Sequence, residues 1–205
     1  MKTIKILLIT FVCLFLFLKS TDHSTLKTTV SNALEGTRGT YGVYIKNLKT
    51  GEKYILNGDR VFDAGSLYKI WVMAAVFEKI KKGELQEDEI LTQEIDVLNQ
   101  KFEIAGEEAE LTEGAISLTV KSAIEQMISI SHNYAALLLT ENVGVSNIKS
   151  FLEKNNFDKS NVGAPPKTTA QDLGMFFEKM HKGELVNKKY SDEMIEILKE
   201  QKLND

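Results

Sequence analysis

The spacing of hydrophobic positions changes several times along the chain, and each change marks an expected element. An uninterrupted, mainly apolar run, Ile6 to Leu18, follows Lys2 and Lys5 and gives way to Lys19 and polar residues. It is shorter than the roughly 20 residues of a membrane-spanning helix and has the grammar of a secretory signal. No small-x-small cleavage site stands out near Ser20, so an uncleaved N-terminal anchor over residues 6–18 is the alternative. Leu26, Val30, Ala33 and Leu34 then recur at helical spacing before the stop signal Gly36. Tyr41, Val43 and Ile45 alternate with Gly42, Tyr44 and Lys46, and after the turn Lys49-Thr50-Gly51-Glu52 a second short run, Lys53 to Leu56, completes an expected β-hairpin.

Beyond Ser66 the period becomes helical. Apolar residues from Leu67 to Ile80 cover nearly every face before Gly83, which predicts a helix buried on all sides at the centre of the fold. Val120, Ala123, Ile124, Met127 and Ile128 predict a second helix behind Thr119. Ala135 to Leu139 predict a third, ending near Gly144, and a fourth follows Ser146. The loop Asn155 to Lys167 holds both prolines; Thr169 with Asp172 three residues later then reads as a capping box for a helix that stops at Gly183. Ser191 is the expected cap of the last helix, with Asp192 and Glu193 in its first turn and Lys199 and Lys202 near its end. No internal repeat and no linker divides the body, so residues 21–205 are expected to form one domain behind the export segment 1–20.

Composition narrows the function classes. With 43% hydrophobic and 26% charged residues in 205, the chain is long enough and apolar enough for a packed core. Its net charge is −4, and because Lys2, Lys5 and Lys19 all lie in the first twenty residues, the remainder is more acidic still. No basic run is present, which argues against nucleic acid as the partner. The one cysteine, Cys13, sits inside the apolar run, so the body has neither a disulfide framework nor a cysteine nucleophile. No metal or nucleotide motif appears, and no cofactor is expected.

Two short polar motifs carry candidate chemistry. Ser66-Leu67-Tyr68-Lys69 opens the buried helix, and residues at i and i+3 share a helix face, so the Lys69 amine can lie on the same side as the Ser66 hydroxyl. Burial lowers a lysine's proton affinity and helix N-terminal amides favour developing negative charge, which together suit a serine nucleophile. Ser66 is equally a good helix cap, and Ser-x-x-Lys alone is a weak signal. Ser131-His132-Asn133 interrupts two apolar helical runs. It reads as a simple turn, or as a hydroxyl and an amide aimed into one cleft, the first to shuttle a proton and the second to hold a substrate amide.

Together these segments resemble the class A β-lactamases and related penicillin-recognising serine enzymes. The resemblance runs from the hairpin Tyr41 to Leu56, through FDAGSLYK and SLTVKSAIEQMISISHNYAALLL, to TTAQDLGMFFEKMHKGELV and the final helix. It implies an α+β architecture of β-lactamase/transpeptidase type, a helical lobe and an antiparallel sheet with Ser66 in the cleft, of which only the first two strands fall within these 205 residues. The family's C-terminal strands and helix are then lacking. The resemblance also implies that Ser66 is the acylated nucleophile, that Lys69 activates it, that Ser131 relays the proton to the leaving nitrogen and that Asn133 binds substrate. Ser66's own amide then supplies half of the oxyanion hole.

The implied substrates are β-lactams or the D-Ala-D-Ala peptides they mimic. The implied setting is outside the cell: periplasmic, extracellular, or anchored facing outward. Three departures from the family pattern stand out. His132 replaces the middle Asp of Ser-Asp-Asn; the loop Asn155 to Lys167 offers only Asp158 and no Glu to activate a deacylating water; and no Lys-Thr-Gly follows the last helix. Lys49-Thr50-Gly51 comes before Ser66 and reads as a turn. A β-lactam-opening hydrolase is the first expectation; a penicillin-binding D-Ala-D-Ala peptidase or an inactive, shortened wall-binding homologue is the alternative.

Overall fold

A computed structural model describes residues 22–203. The expected export segment 1–20, with Cys13, lies outside the described residues. What is described divides into two compact units, one ending at Arg60 and the other beginning at Val61.

In the first unit, helix α1 (Asp22–Leu34) precedes the antiparallel strands β1 (Val43–Lys46) and β2 (Lys53–Leu56), paired from Val43↔Leu56 to Lys46↔Lys53. The hairpin is the one its alternation predicts. Its turn is closed by Asn47, whose side-chain oxygen accepts from the amides of Lys49 at 2.9 Å and Thr50 at 3.2 Å, while Gly51 donates to Asn47 O at 2.8 Å. Lys49-Thr50-Gly51 is therefore turn structure, held by a local side-chain-to-backbone motif.

The second unit is built around α2 (Lys69–Lys82), in which every residue from Lys69 to Phe77 is buried. A helix hydrophobic on all faces needs neighbours on all sides, and α4 (Val120–Ser129), α5 (Asn133–Val143), α6 (Val145–Lys154) and α8 (Lys188–Lys199) pack on it. Its last turn carries Lys79, Lys81 and Lys82, favourable at the negative end of the helix dipole, and Gly83 at φ 72° takes the left-handed cap. Trp71, fully buried, meets Phe176 edge-on at 4.9 Å between ring centres and Phe157 at 5.8 Å. These contacts fasten α7 (Ala170–His181) and the residues after α6 to the core.

Mixed helices and small antiparallel sheets agree with the expected fold class. Four short strands beyond the hairpin were not legible in the sequence. β3 (Val61–Asp63) pairs with β6 (Lys167–Thr169) through Val61↔Thr169 and Asp63↔Lys167, and β4 (Ile90–Glu94) pairs with β5 (Ala115–Thr119). Their partners lie far along the chain, so no adjacent turn signals them, and three to five residues are too few to show a period. Helix α3 (Ile95–Lys101) follows β4 directly. Thr119 and Thr169 end their strands and cap α4 and α7 by accepting from the amides of Ser122 and Asp172.

The last helix departs from expectation. Its cap is Asn187, which accepts from Tyr190 N at 2.9 Å, whereas Ser191 lies inside the helix, fully buried, and donates to Leu185 O at 2.6 Å. Both residues are good caps. The burial of Tyr190 and Met194 starts the helix a turn earlier than the acidic pair Asp192-Glu193 suggests. The loop 155–167 is anchored by a buried polar knot: Ser160 Oγ donates to Asp172 Oδ2 at 2.7 Å and shares a 2.8 Å hydrogen bond with Thr168 Oγ1, and Lys159 N donates to the same carboxylate. Because Trp71 ties α2 to both α7 and the residues after α6, Trp71→Ala is expected to cost about 3–5 kcal/mol of unfolding free energy, measured by urea denaturation. A loss below about 1 kcal/mol would show that this aromatic cluster does not hold the second unit together.

Candidate active site

Gly65 to Tyr68 form one 3-10 turn that runs straight into α2. Ser66 lies within that turn and caps nothing; Ala64 occupies the cap position and no side chain serves it. Gly65 holds φ 51°, a left-handed conformation that side chains adopt only with strain, and the space around it is open. The backbone turn itself, and no steric crowding, favours glycine there. Ser66 is left exposed at the head of the most buried helix of the unit.

Lys69, one turn on, is 2% exposed. Its Nζ donates to Ser131 O at 2.6 Å, Ser131 Oγ at 2.8 Å and Asn133 Oδ1 at 2.7 Å, and Ser131 Oγ donates to Ser66 Oγ at 3.0 Å. All four residues singled out in the sequence thus meet in one cluster. The i, i+3 spacing predicts Lys69 beside Ser66; the structure links the two through the Ser131 hydroxyl. Ser131 sits in the link between α4 and α5 at φ 58°, a conformation that typically costs about 1 kcal/mol for a non-glycine residue. In that conformation its carbonyl and its hydroxyl both face the amine.

The partner set suits either protonation state of Lys69. As an ammonium it has three protons for three acceptors. As a neutral amine it keeps two donors for Ser131 O and Asn133 Oδ1, and its lone pair accepts from the Ser131 hydroxyl. Ser131 is then free to accept from Ser66, and the hydrogen-bond chain runs from Ser66 through Ser131 to Lys69. Burial pulls the Lys69 ammonium down from its ordinary 10.5 to about 8, against the opposing pull of the Glu110 carboxylate. An amine so placed can take and return a proton near neutral pH.

His132 does other work. Its Nδ1 accepts from Ala135 N at 3.2 Å and caps α5, so it faces a helix end. His132 thus supplies the acceptor that an aspartate side chain can also offer a helix N-terminus. Glu110, in the irregular stretch between α3 and β5, had no motif to mark it; it accepts a short hydrogen bond from Asn133 Nδ2. Beside Asn133 a small cavity of about 180 Å³ is lined by Tyr68, Ile104, Glu108, Glu110, Tyr134 and Leu137, and burial raises the Tyr68 phenol above its ordinary value. A larger cavity of about 490 Å³, between α2, α4 and α8, touches none of the four clustered residues. Among the described residues no group of acidic, histidine or cysteine side chains could hold a metal ion, and no helix is long and apolar enough to cross a membrane.

The helical body with short antiparallel sheets is the β-lactamase/transpeptidase fold. A family model, the beta-lactamase enzyme family, matches residues 25–205, and the chain belongs to that family. A β-lactamase from Sphaerobacter thermophilus superposes with a TM-score of 0.74 at 25% identity, over 88% of this chain and 71% of that one. A point mutant of PBP-A, an acyl-enzyme complex with penicillin G, matches with a TM-score of 0.74 at 21% identity, over 88% and 70%. An ancestral class A β-lactamase matches with a TM-score of 0.71 at 20% identity, over 87% and 72%. No curated protein sequence matches the chain. The family points to a hydrolase.

Two outcomes follow from the cluster. A lysine with lowered proton affinity in the folded state binds fewer protons there than unfolded between pH 8 and 10.5, so its contribution to stability rises with pH across that window. The difference in unfolding free energy between the native protein and Lys69→Met should change over that window and be flat below it; a flat difference throughout would show an ordinary lysine. Replacing the α5 cap, His132→Ala should lose about 1 kcal/mol of stability in chemical denaturation while His132→Asp retains it. Equal losses in the two variants would remove the capping role.

Proposed function

We propose that the chain is an exported acyl-serine hydrolase that opens β-lactam amides through Ser66. The observation that carries this reading is the hydrogen-bonded chain Ser66–Ser131–Lys69, with a buried amine of lowered proton affinity at its end. With Lys69 neutral, the Ser66 proton passes through the Ser131 hydroxyl to Nζ as Ser66 Oγ bonds to the β-lactam carbonyl carbon. The ring C–N bond then breaks, and the same proton returns through Ser131 to the departing nitrogen. Helix N-terminal amides beside Ser66 favour the oxyanion that forms on the carbonyl. Asn133 hydrogen-bonds the substrate's side-chain amide. Residues 1–20 direct the protein out of the cytoplasm, as a cleaved signal or as an anchor, and 21–205 form the serine hydrolase domain.

One sequence feature favours a second reading, a penicillin-binding D-Ala-D-Ala peptidase. Hydrolysis of the acyl-enzyme needs a base for the incoming water, and the loop 155–167 contains Asp158 as its only acid and no glutamate. Slow release of the acyl group follows from that composition. A point mutant of PBP-A, a structural neighbour, is an acyl-enzyme complex with penicillin G.

Incubation with a fluorescent penicillin, followed by denaturing electrophoresis, tests the proposal. Covalent label is expected on the native protein and lost in Ser66→Ala, whose side chain is exposed and whose removal leaves the core intact. Absence of label on natively folded protein would overturn the acyl-serine reading. With label present, rapid turnover of a chromogenic cephalosporin supports the hydrolase, whereas persistent label with little turnover supports the peptidase-like alternative.

A further inference from the structure

Glu110 has no part in the proton chain, yet it is built into the cluster. Its carboxylate accepts from Asn133 Nδ2, and the next residue along each segment repeats the pairing. Leu111 N donates to the Tyr134 hydroxyl at 3.1 Å, and that hydroxyl lies 2.6 Å from Leu111 O. Asn99 closes the set from α3: its Nδ2 donates to Leu111 O at 2.8 Å, and its Oδ1 is 3.0 Å from the Tyr134 hydroxyl. Tyr134 is buried against Ile95 and Leu98, so the irregular stretch 102–114 is pinned at the residue beside Glu110.

An asparagine side chain can turn over, exchanging its oxygen and nitrogen. If Asn133 did so, its NH₂ would face the Lys69 ammonium, donor against donor, and its oxygen would face the Glu110 carboxylate. A carboxylate accepts and cannot donate, so Glu110 forbids that orientation and keeps Oδ1 on Lys69. The charge acts on Lys69 as well. Ser131 and Asn133, which bind the amine, are neutral; His132, on the same link, faces the Ala135 amide; among the described residues, Glu110 is the charged group that acts on it.

We infer that Glu110 is a positioning residue for the proposed acylation, orienting the Asn133 amide by its hydrogen bond and setting a negative charge one side chain away from the Lys69 amine. The inference rests on the acyl-serine reading for its kinetic consequence alone. The two contributions separate by substitution. Glu110→Gln keeps an oxygen that can accept from Asn133 and removes the charge; Glu110→Ala removes both.

The test follows the rate of Ser66 labelling by fluorescent penicillin from pH 6 to 10, alongside the ¹³Cε resonance of Lys69 in the same proteins without ligand. For Glu110→Gln, both the kinetic and the resonance midpoints should move below the native one, near 8. Labelling at pH 7 should then rise roughly twofold to fourfold, the size expected of an exposed, water-screened charge. Glu110→Ala should show the same movement with a lower plateau at high pH. Midpoints of Glu110→Gln that coincide with the native ones would overturn the inference, since a merely structural residue changes stability without moving the Lys69 titration. If the native protein takes no label, the acyl-serine reading fails on its own, and the resonance midpoints still decide whether Glu110 acts on Lys69.

Discussion

Burying one amine constrains much of the second unit. Lys69 stands in a row of nine buried residues, and a primary amine removed from water needs an acceptor for every proton it carries. The link between α4 and α5 supplies all of them: a carbonyl and a hydroxyl from Ser131 and an amide oxygen from Asn133. Meeting that demand fixes the left-handed turn at Ser131, the entry of α5 behind His132, and the position of the Ser131 hydroxyl against Ser66. The same burial that makes these bonds obligatory weakens the amine's hold on its proton. A requirement of folding therefore leaves a group able to exchange a proton near neutral pH.

The cluster is reached from a rigid side and a less regular one. Ser66 and Lys69 belong to the head of α2, clamped by the Trp71, Phe157 and Phe176 rings. Glu110 arrives on a stretch without secondary structure and is tied in by Leu111, Tyr134 and Asn99. Nearby, the loop 155–167 is held by the Ser160–Thr168–Asp172 knot, yet it brings no glutamate. In the proposed reaction this asymmetry matters: the groups that form an acyl-enzyme are assembled on well-packed elements, and the loop that would supply a base for its hydrolysis has only Asp158.

Much of this was legible in the residues because it is periodic or local. The all-apolar face count from Leu67 to Ile80 announced the central helix, alternation announced the hairpin, and Thr119 and Thr169 announced their helices. Ser66 with Lys69 and Ser131 with Asn133 were visible as motifs, and the structure brings the four together. What stayed hidden depends on distant partners. β3 and β6 pair although Val61 and Thr169 lie far apart in the chain, and nothing near either strand signals it. Ser191 and Asn187 are equally good caps until the burial of Tyr190 and Met194 chooses between them. Glu110 looks like any surface acid, because its role is defined by Asn133, and through Asn133 by a lysine on another helix.

The central claim is that Lys69, buried at the head of α2, titrates near neutral pH. Titration of its ¹³Cε resonance in the native protein, assigned by its loss in Lys69→Met, tests this without any substrate. The account predicts a midpoint near 8, as burial dictates. A midpoint at the ordinary value of about 10.5 would contradict it, leaving Ser66 without a base in the proposed chemistry.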